Sequence, residues 1–166
     1  MDIFSAAAEG NIDLLDQLFT EGKDVNITDS YGWAAVHHAS SKGQTEVIKY
    51  LEAKGADLEA STVYETYGVQ RGFTGDEDAG SKPLHLAALY GHTASIKVLV
   101  ELGAQLESED KNHKHKPLHK AAYEGHVEAI RYYLIFSHKN HHINQCTYIS
   151  SYQKVFATFK QIWLAM

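Results

Sequence analysis

A chain of 166 residues has room for one domain of ordinary size, and its 44% hydrophobic and 22% charged composition is that of a globular protein. Fifteen basic against 21 acidic residues do not supply the broad cationic face on which nucleic-acid binders rely, so no nucleic-acid partner is expected. The only cysteine, Cys146, excludes an internal disulfide, and with it zinc sites built from four cysteines or from two cysteines and two histidines. No early stretch reads as a basic head, apolar run and cleavage site, and no segment reaches the roughly 20 apolar residues of a membrane-spanning helix. These readings lead us to expect a monomeric intracellular protein, cytoplasmic by default with the nucleus left open.

Glycines punctuate the chain at regular intervals. Gly10-Asn11, Gly43-Gln44, Gly91-His92 and Gly125-His126 begin 33, 48 and 34 residues apart, and Gly22, Gly55 and Gly103 are spaced by 33 and 48. His37, His85 and His119 repeat the intervals of 48 and 34. All three series agree on a unit near 33 residues, with 15 extra residues between the second and third units. Taken in order, the units cover about 1–27, 28–60, 76–108 and 109–136, with an insertion at about 61–75.

Each unit predicts two helices. Phe4-Ser5-Ala6-Ala7, Ala35-Val36, Pro83-Leu84 and Pro117-Leu118 lead short alanine-rich helices. Both prolines of the chain fall in this slot, where a first-turn N–H has no intrahelical partner to lose. A glycine ends each short helix, and an amphipathic second helix follows, as in Val47-Ile48-Tyr50-Leu51, Ile96-Val98-Leu99-Val100 and Ala129-Ile130-Tyr133-Leu134. Gly22, Gly55 and Gly103 close the second helices; the fourth unit has no such glycine, and the array is expected to end near residue 136. A single helix pair buries too little to stand alone, whereas stacked units bury one another's faces.

These residues carry a family resemblance. Gly80-Ser81-Lys82-Pro83-Leu84-His85-Leu86-Ala87-Ala88-Leu89-Tyr90-Gly91-His92 and Lys116-Pro117-Leu118-His119-Lys120-Ala121-Ala122-Tyr123-Glu124-Gly125-His126 resemble the repeat of the ankyrin family, and residues 1–136 follow it throughout. The resemblance implies an all-α solenoid of stacked helix-turn-helix units with short β-hairpin or turn fingers. It also implies that His37, His85 and His119 hydrogen-bond backbone near the turns, and that Glu77 fills the acidic slot of the third unit. Ala34, Lys82 and Lys116 stand where the family has a turn-bracing threonine, so looser turns are expected.

No nucleotide-binding, nucleophile-elbow or zinc-protease motif is present, and no cofactor, metal or enzymatic activity is expected. The run Asp76-Glu77-Asp78 lacks the alternating ligands of a calcium loop and reads as a solvated acidic turn. Tyr64, Tyr67 and Phe73 lie in the inserted stretch, for which a binding role and an inert extension remain equally open.

The charge changes abruptly along the chain: 11 basic and 21 acidic residues precede Ala129, while four basic and no acidic residues follow it. From Thr147 onward Tyr148, Tyr152, Val155, Phe156, Phe159, Ile162, Trp163 and Met166 form a three-four stripe, which predicts an amphipathic helix over 147–165. Within the tail, 137–166, a capping helix, a membrane-surface helix and a frayed end are the three readings. The resemblance implies a non-enzymatic module that binds another protein through the concave face and hairpin fingers. Its variable slots are Tyr31, Trp33, Ser41, Lys42, Asp78, Ser81, Leu89, Tyr90, Asn112, His115, Tyr123 and Glu124, with Ala8 and Glu9 from the first helix. A membrane-associated adaptor using the tail helix and a regulatory fragment of a larger protein are the alternatives.

Overall fold

Small residues and local caps account for eight helices in a computed structural model that describes residues 2–63, 80–111 and 114–139, the last three by backbone alone. They pair as α1 (Ile3–Glu9) with α2 (Ile12–Thr20), α3 (Ala35–Ser41) with α4 (Thr45–Ala53), α5 (Pro83–Leu89) with α6 (Thr93–Glu101), and α7 (Pro117–Tyr123) with α8 (Val127–Lys139). Asp2 caps α1 by accepting from the Ser5 N–H at 2.7 Å, and Asn11 caps α2 by accepting from Leu14 at 3.0 Å. Pro83 and Pro117 open α5 and α7, as the sequence predicts. Every short helix ends in the same reversal. Gly10, Gly43, Gly91 and Gly125 take φ between 72° and 83°, and the following N–H returns to the carbonyl of Ala6, Ala39, Ala87 or Ala121 at 2.9 Å.

The helices form two layers. The short helices α1, α3, α5 and α7 stack in one, and α4, α6 and α8 pack in succession in the other. Alanine makes the close stacking possible: Ala6, Ala7, Ala35, Ala39, Ala87, Ala88 and Ala121 are wholly buried between neighbours. In the second layer Leu51, Leu99 and Tyr133 occupy one slot of successive units, and all three are buried in one continuous core. The fourth unit's residue, Tyr133, is larger and polar. Among the described residues the buried Tyr133 hydroxyl has no hydrogen-bond partner, and burial pushes its pKa up. Replacing Tyr133 by Phe is therefore expected to raise stability by about 1 kcal/mol, seen as a higher urea midpoint; a lower midpoint would show the hydroxyl to be satisfied.

The hairpins correct two expectations. Asp29 receives the Trp33 N–H on its carboxylate at 2.9 Å and donates its own N–H to the Trp33 carbonyl at 3.0 Å; Asp110 does the same with His115 at 3.1 and 2.8 Å. In the third unit this two-way link is made by Thr62, whose hydroxyl accepts from the Ser81 N–H at 3.0 Å and whose N–H donates to the Ser81 carbonyl at 2.9 Å. Thr62 thus stands in the slot that the family resemblance gave to Glu77. The extra residues accordingly fall within the hairpin, between Val63 and Gly80, rather than ahead of it. Glu77, the acidic run and the aromatics Tyr64, Tyr67 and Phe73 lie outside the described residues.

The turns are also braced, although no threonine fills the helix-opening slot. The His37, His85 and His119 rings accept the N–H of Ala34, Lys82 and Lys116 at 3.0, 3.3 and 2.9 Å. Lys82 and Lys116 use their long stems to reach Glu59 at 2.7 Å and Glu107 at 2.9 Å. Glu59 meanwhile accepts the Gln105 N–H at 2.8 Å, tying the second unit to the third and the third to its own end. Finally, α8 continues to Lys139, beyond the expected limit at 136, because no glycine arrives to reverse it. The predicted tail helix over 147–165 lies outside the described residues, among which no helix is long and apolar enough to cross a membrane.

Candidate interaction surface

Stacking in register turns one position of the repeat into a row on the surface. Glu9, Lys42, Tyr90 and Glu124 each immediately precede the glycine that ends a short helix, and all four are exposed. Neighbouring packed helices lie about 8–10 Å apart, so the row runs across the layer at that spacing. It presents a carboxylate, an ammonium, an aromatic ring and a second carboxylate in that order. Tyr90 is 40% exposed, with its ring tilted 6.5 Å from that of His92.

The position just before this row behaves differently. Ser41 and Leu89 are buried, because the following unit sits on them. The structure shows why. Gln44 Nε2 donates to the Ala8 carbonyl at 2.9 Å, His92 Nε2 to Ser41 at 3.0 Å, and His126 Nε2 to Leu89 at 2.7 Å. Each side chain reaches back one unit to satisfy a helix-end carbonyl, passing over the glycine of that unit. A Cβ on Gly43 would lie 2.8 Å from the His92 ring, and one on Gly91 would lie 2.5 Å from His126, which fixes glycine there by space as well as by φ. Ser41 and Leu89 are stacking residues with little surface for a partner. Ser81 is buried as well, held at the hairpin base by Thr62.

The hairpins add a second patch. Tyr31 is 71% exposed at the tip of the turn closed by the Thr28–Ala34 bridge, with its N–H held by the Asp29 carboxylate at 2.8 Å. Val63, also exposed, stands against Gly32, where a Cβ would meet it at 2.4 Å. Tyr31 and Val63 therefore form an apolar edge on adjacent hairpins. Sequence reading missed Val63, since it fell inside the stretch taken as inserted. Trp33 is only half exposed: its ring packs 5.1 Å from His38, whose Nε2 lies 2.9 Å from Asp29. It braces the hairpin against α3. His115 is similarly half-buried, its ring edge-on to His119 at 5.8 Å and its carbonyl accepting from His85 at 2.9 Å. Tyr123 and Glu124 are exposed on the last unit, and Asp78 and Asn112 lie outside the described residues.

The repeated histidines are occupied by the fold. His37 takes an N–H on Nδ1 and donates from Nε2 to the Ala60 carbonyl at 3.0 Å, so both nitrogens are used in the neutral ring. Burial, the largest cause, holds the pKa of His37 and of His85 down to about 4. Among the described residues no group of three or more His, Cys, Asp and Glu side chains is placed to hold a metal ion.

Comparison with known proteins bears on the same repeat. A family model described as ankyrin repeats (3 copies) matches residues 3–110 and 61–146. Ankyrin repeat and SOCS box protein 3 of Homo sapiens is 34% identical over 99 residues, which are 60% of this chain and 17% of that protein. Its Bos taurus counterpart is 36% identical over the same shares. E3 ubiquitin-protein ligase Ufd4 of Drosophila melanogaster is 33% identical over 101 residues, 61% of this chain and 3% of that protein. The chain thus spans less than a fifth of the length of each of these relatives.

Proposed function

Because the chain belongs to the ankyrin-repeat family, whose arrays are protein–protein interaction modules, we propose that it is a non-enzymatic monomer that binds another protein in the cytoplasm. The contact surface runs along the row Glu9, Lys42, Tyr90 and Glu124 and onto the hairpin edge at Tyr31 and Val63. The observation that carries this reading is that Tyr31 and Tyr90 are exposed at positions where the fold makes no demand for an aromatic ring. Tyrosine is enriched at the energetic centres of interfaces, since it buries a large area with few rotatable bonds. Lys42 and the flanking carboxylates supply the polar surround that orients a partner. The relatives share only the array with this chain, so what passes across is binding and not the activity in their names.

The test is affinity capture with the intact chain, followed by titration of the captured partner against Tyr31→Ala and Tyr90→Ala. Each is expected to cost about 2 kcal/mol of affinity with an unchanged melting temperature. Trp33→Ala should do the reverse, lowering the melting temperature and leaving affinity nearly intact. Unchanged affinity in both tyrosine variants would overturn this surface assignment.

A further inference from the structure

Tyr31 stands at the tip of a finger whose base rests on one carboxylate. Asp29 Oδ1 accepts two backbone donors at once, the N–H of Tyr31 at 2.8 Å and that of Trp33 at 2.9 Å. Its other oxygen, Oδ2, lies 2.9 Å from His38 Nε2 on α3, and since a carboxylate only accepts, the ring N–H donates. The His38 ring also has two aromatic neighbours, Trp33 of the finger at 5.1 Å and Phe4 of α1 at 5.4 Å. A carboxylate bonded through one oxygen can turn about its Cβ–Cγ bond, where few angles are forbidden to it. Bonded through both, it holds the turn in one orientation.

The same tie recurs in the fourth unit. Asp110 Oδ1 accepts the His115 N–H at 3.1 Å, and its Oδ2 stands 3.3 Å from the Lys120 ammonium. Lys120 is the fourth residue of α7, as His38 is the fourth of α3. In the third unit the hairpin residue is Thr62, and the fourth residue of α5 is Leu86, wholly buried. Acid on the hairpin and base on the helix thus occur together in two units and are both replaced in the third. The fourth helix residue answers the hairpin residue. In the fourth unit the paired side chains are 6% and 0% exposed, whereas those of His38 and Asp29 are 23% and 19% exposed, so this tie reaches the surface beside Tyr31.

We propose that His38 is a positioning residue of the interaction surface: by holding Asp29 it sets the Tyr31 finger in its binding orientation before a partner arrives. The inference rests on the reading of Tyr31 as a contact residue. A finger ordered in advance spares the complex the loss of loop and side-chain freedom on association. His38 acts through Asp29 rather than by touching the partner.

His38→Phe keeps a ring beside Trp33 and Phe4 and removes the Nε2 donor, and His38→Lys supplies a donor of the kind Lys120 provides. Amide exchange at Tyr31 and Trp33 reads the finger with no partner present. Both amides should exchange about tenfold faster in His38→Phe and return close to the parent rate in His38→Lys, with those of Gln44 and His115 unchanged. Affinity for the protein captured by the parent chain should fall about tenfold in His38→Phe and recover in His38→Lys. Asp29→Thr with His38→Leu copies the pair with which the third unit already folds; it should leave Trp33 protected while Tyr31 speeds up. Unchanged Tyr31 exchange in His38→Phe would overturn the proposal whatever the affinity does. Faster exchange at Gln44 and His115 as well would make His38 a packing residue of the whole array and overturn it too. So would a loosened finger with full affinity where Tyr31→Ala weakens binding. Full affinity in Tyr31→Ala as well would bring down the surface reading itself, and the proposal with it.

Discussion

Lowering the pH from 7.5 to 5 is expected to remove about 4 kcal/mol of folding stability, roughly 2 kcal/mol from each of His37 and His85. Both rings are fully buried, accept a backbone N–H on Nδ1 and donate from Nε2 to a carbonyl of the next hairpin segment, Ala60 or His115. Protonation would turn the accepting nitrogen into a donor facing another donor. Their folded pKa of about 4 lies below the ordinary histidine value of 6.5. The unfolded chain therefore binds protons first as pH falls. The contribution is complete above pH 6.5, is lost between 6.5 and 4, and changes no further below 4. Asp2 and Asp16 have their pKa lowered by hydrogen bonds, away from this window. Urea midpoints at pH 7.5 and 5 measure the effect, and a difference under about 1 kcal/mol would show that these rings are not buried neutral in solution.

Leu99→Ala is expected to cost about 2–5 kcal/mol, a large part of the roughly 5–15 kcal/mol available to a domain of this kind. Leu99 is wholly buried in α6, which packs between α4 and α8. Its removal opens a cavity that alanine-lined stacking cannot collapse, because the short helices are already at close approach. The effect should also be transmitted along the array, since each unit is stabilised mainly by its neighbours. A urea midpoint that barely moves would refute the packing of the second layer.

The helices and their glycine ends were legible in the sequence because each is set by local rules that recur every 33 residues or so, and the histidine braces were implied by the family resemblance. What the sequence could not show depends on the neighbouring unit. Ser41 and Leu89 sit at surface-like positions of an isolated repeat and become buried only when the following unit lands on them. Thr62 escaped notice because a hydroxyl does there the accepting done elsewhere by a carboxylate, so the slot is defined by hydrogen bonds and not by residue type. Lys82 and Lys116 looked like lost braces, yet their stems reach glutamates that sequence proximity does not pair with them. Trp33, a variable slot by the resemblance, lies against His38 at 5.1 Å, a contact that sequence proximity does not reveal.

The position of Thr62 has a consequence for protein engineering. The chain is pinned on both sides of the added stretch: the Thr62 N–H donates to the Ser81 carbonyl at 2.9 Å, and the Gly80 N–H donates to the Thr62 carbonyl at 3.2 Å. For a flexible segment entering and leaving through such a clasp, doubling its length costs about 0.6 kcal/mol of closure entropy. A foreign peptide joined between Val63 and Gly80 would thus enter and leave the fold through this clasp, at a hairpin next to Gly32 and Tyr31.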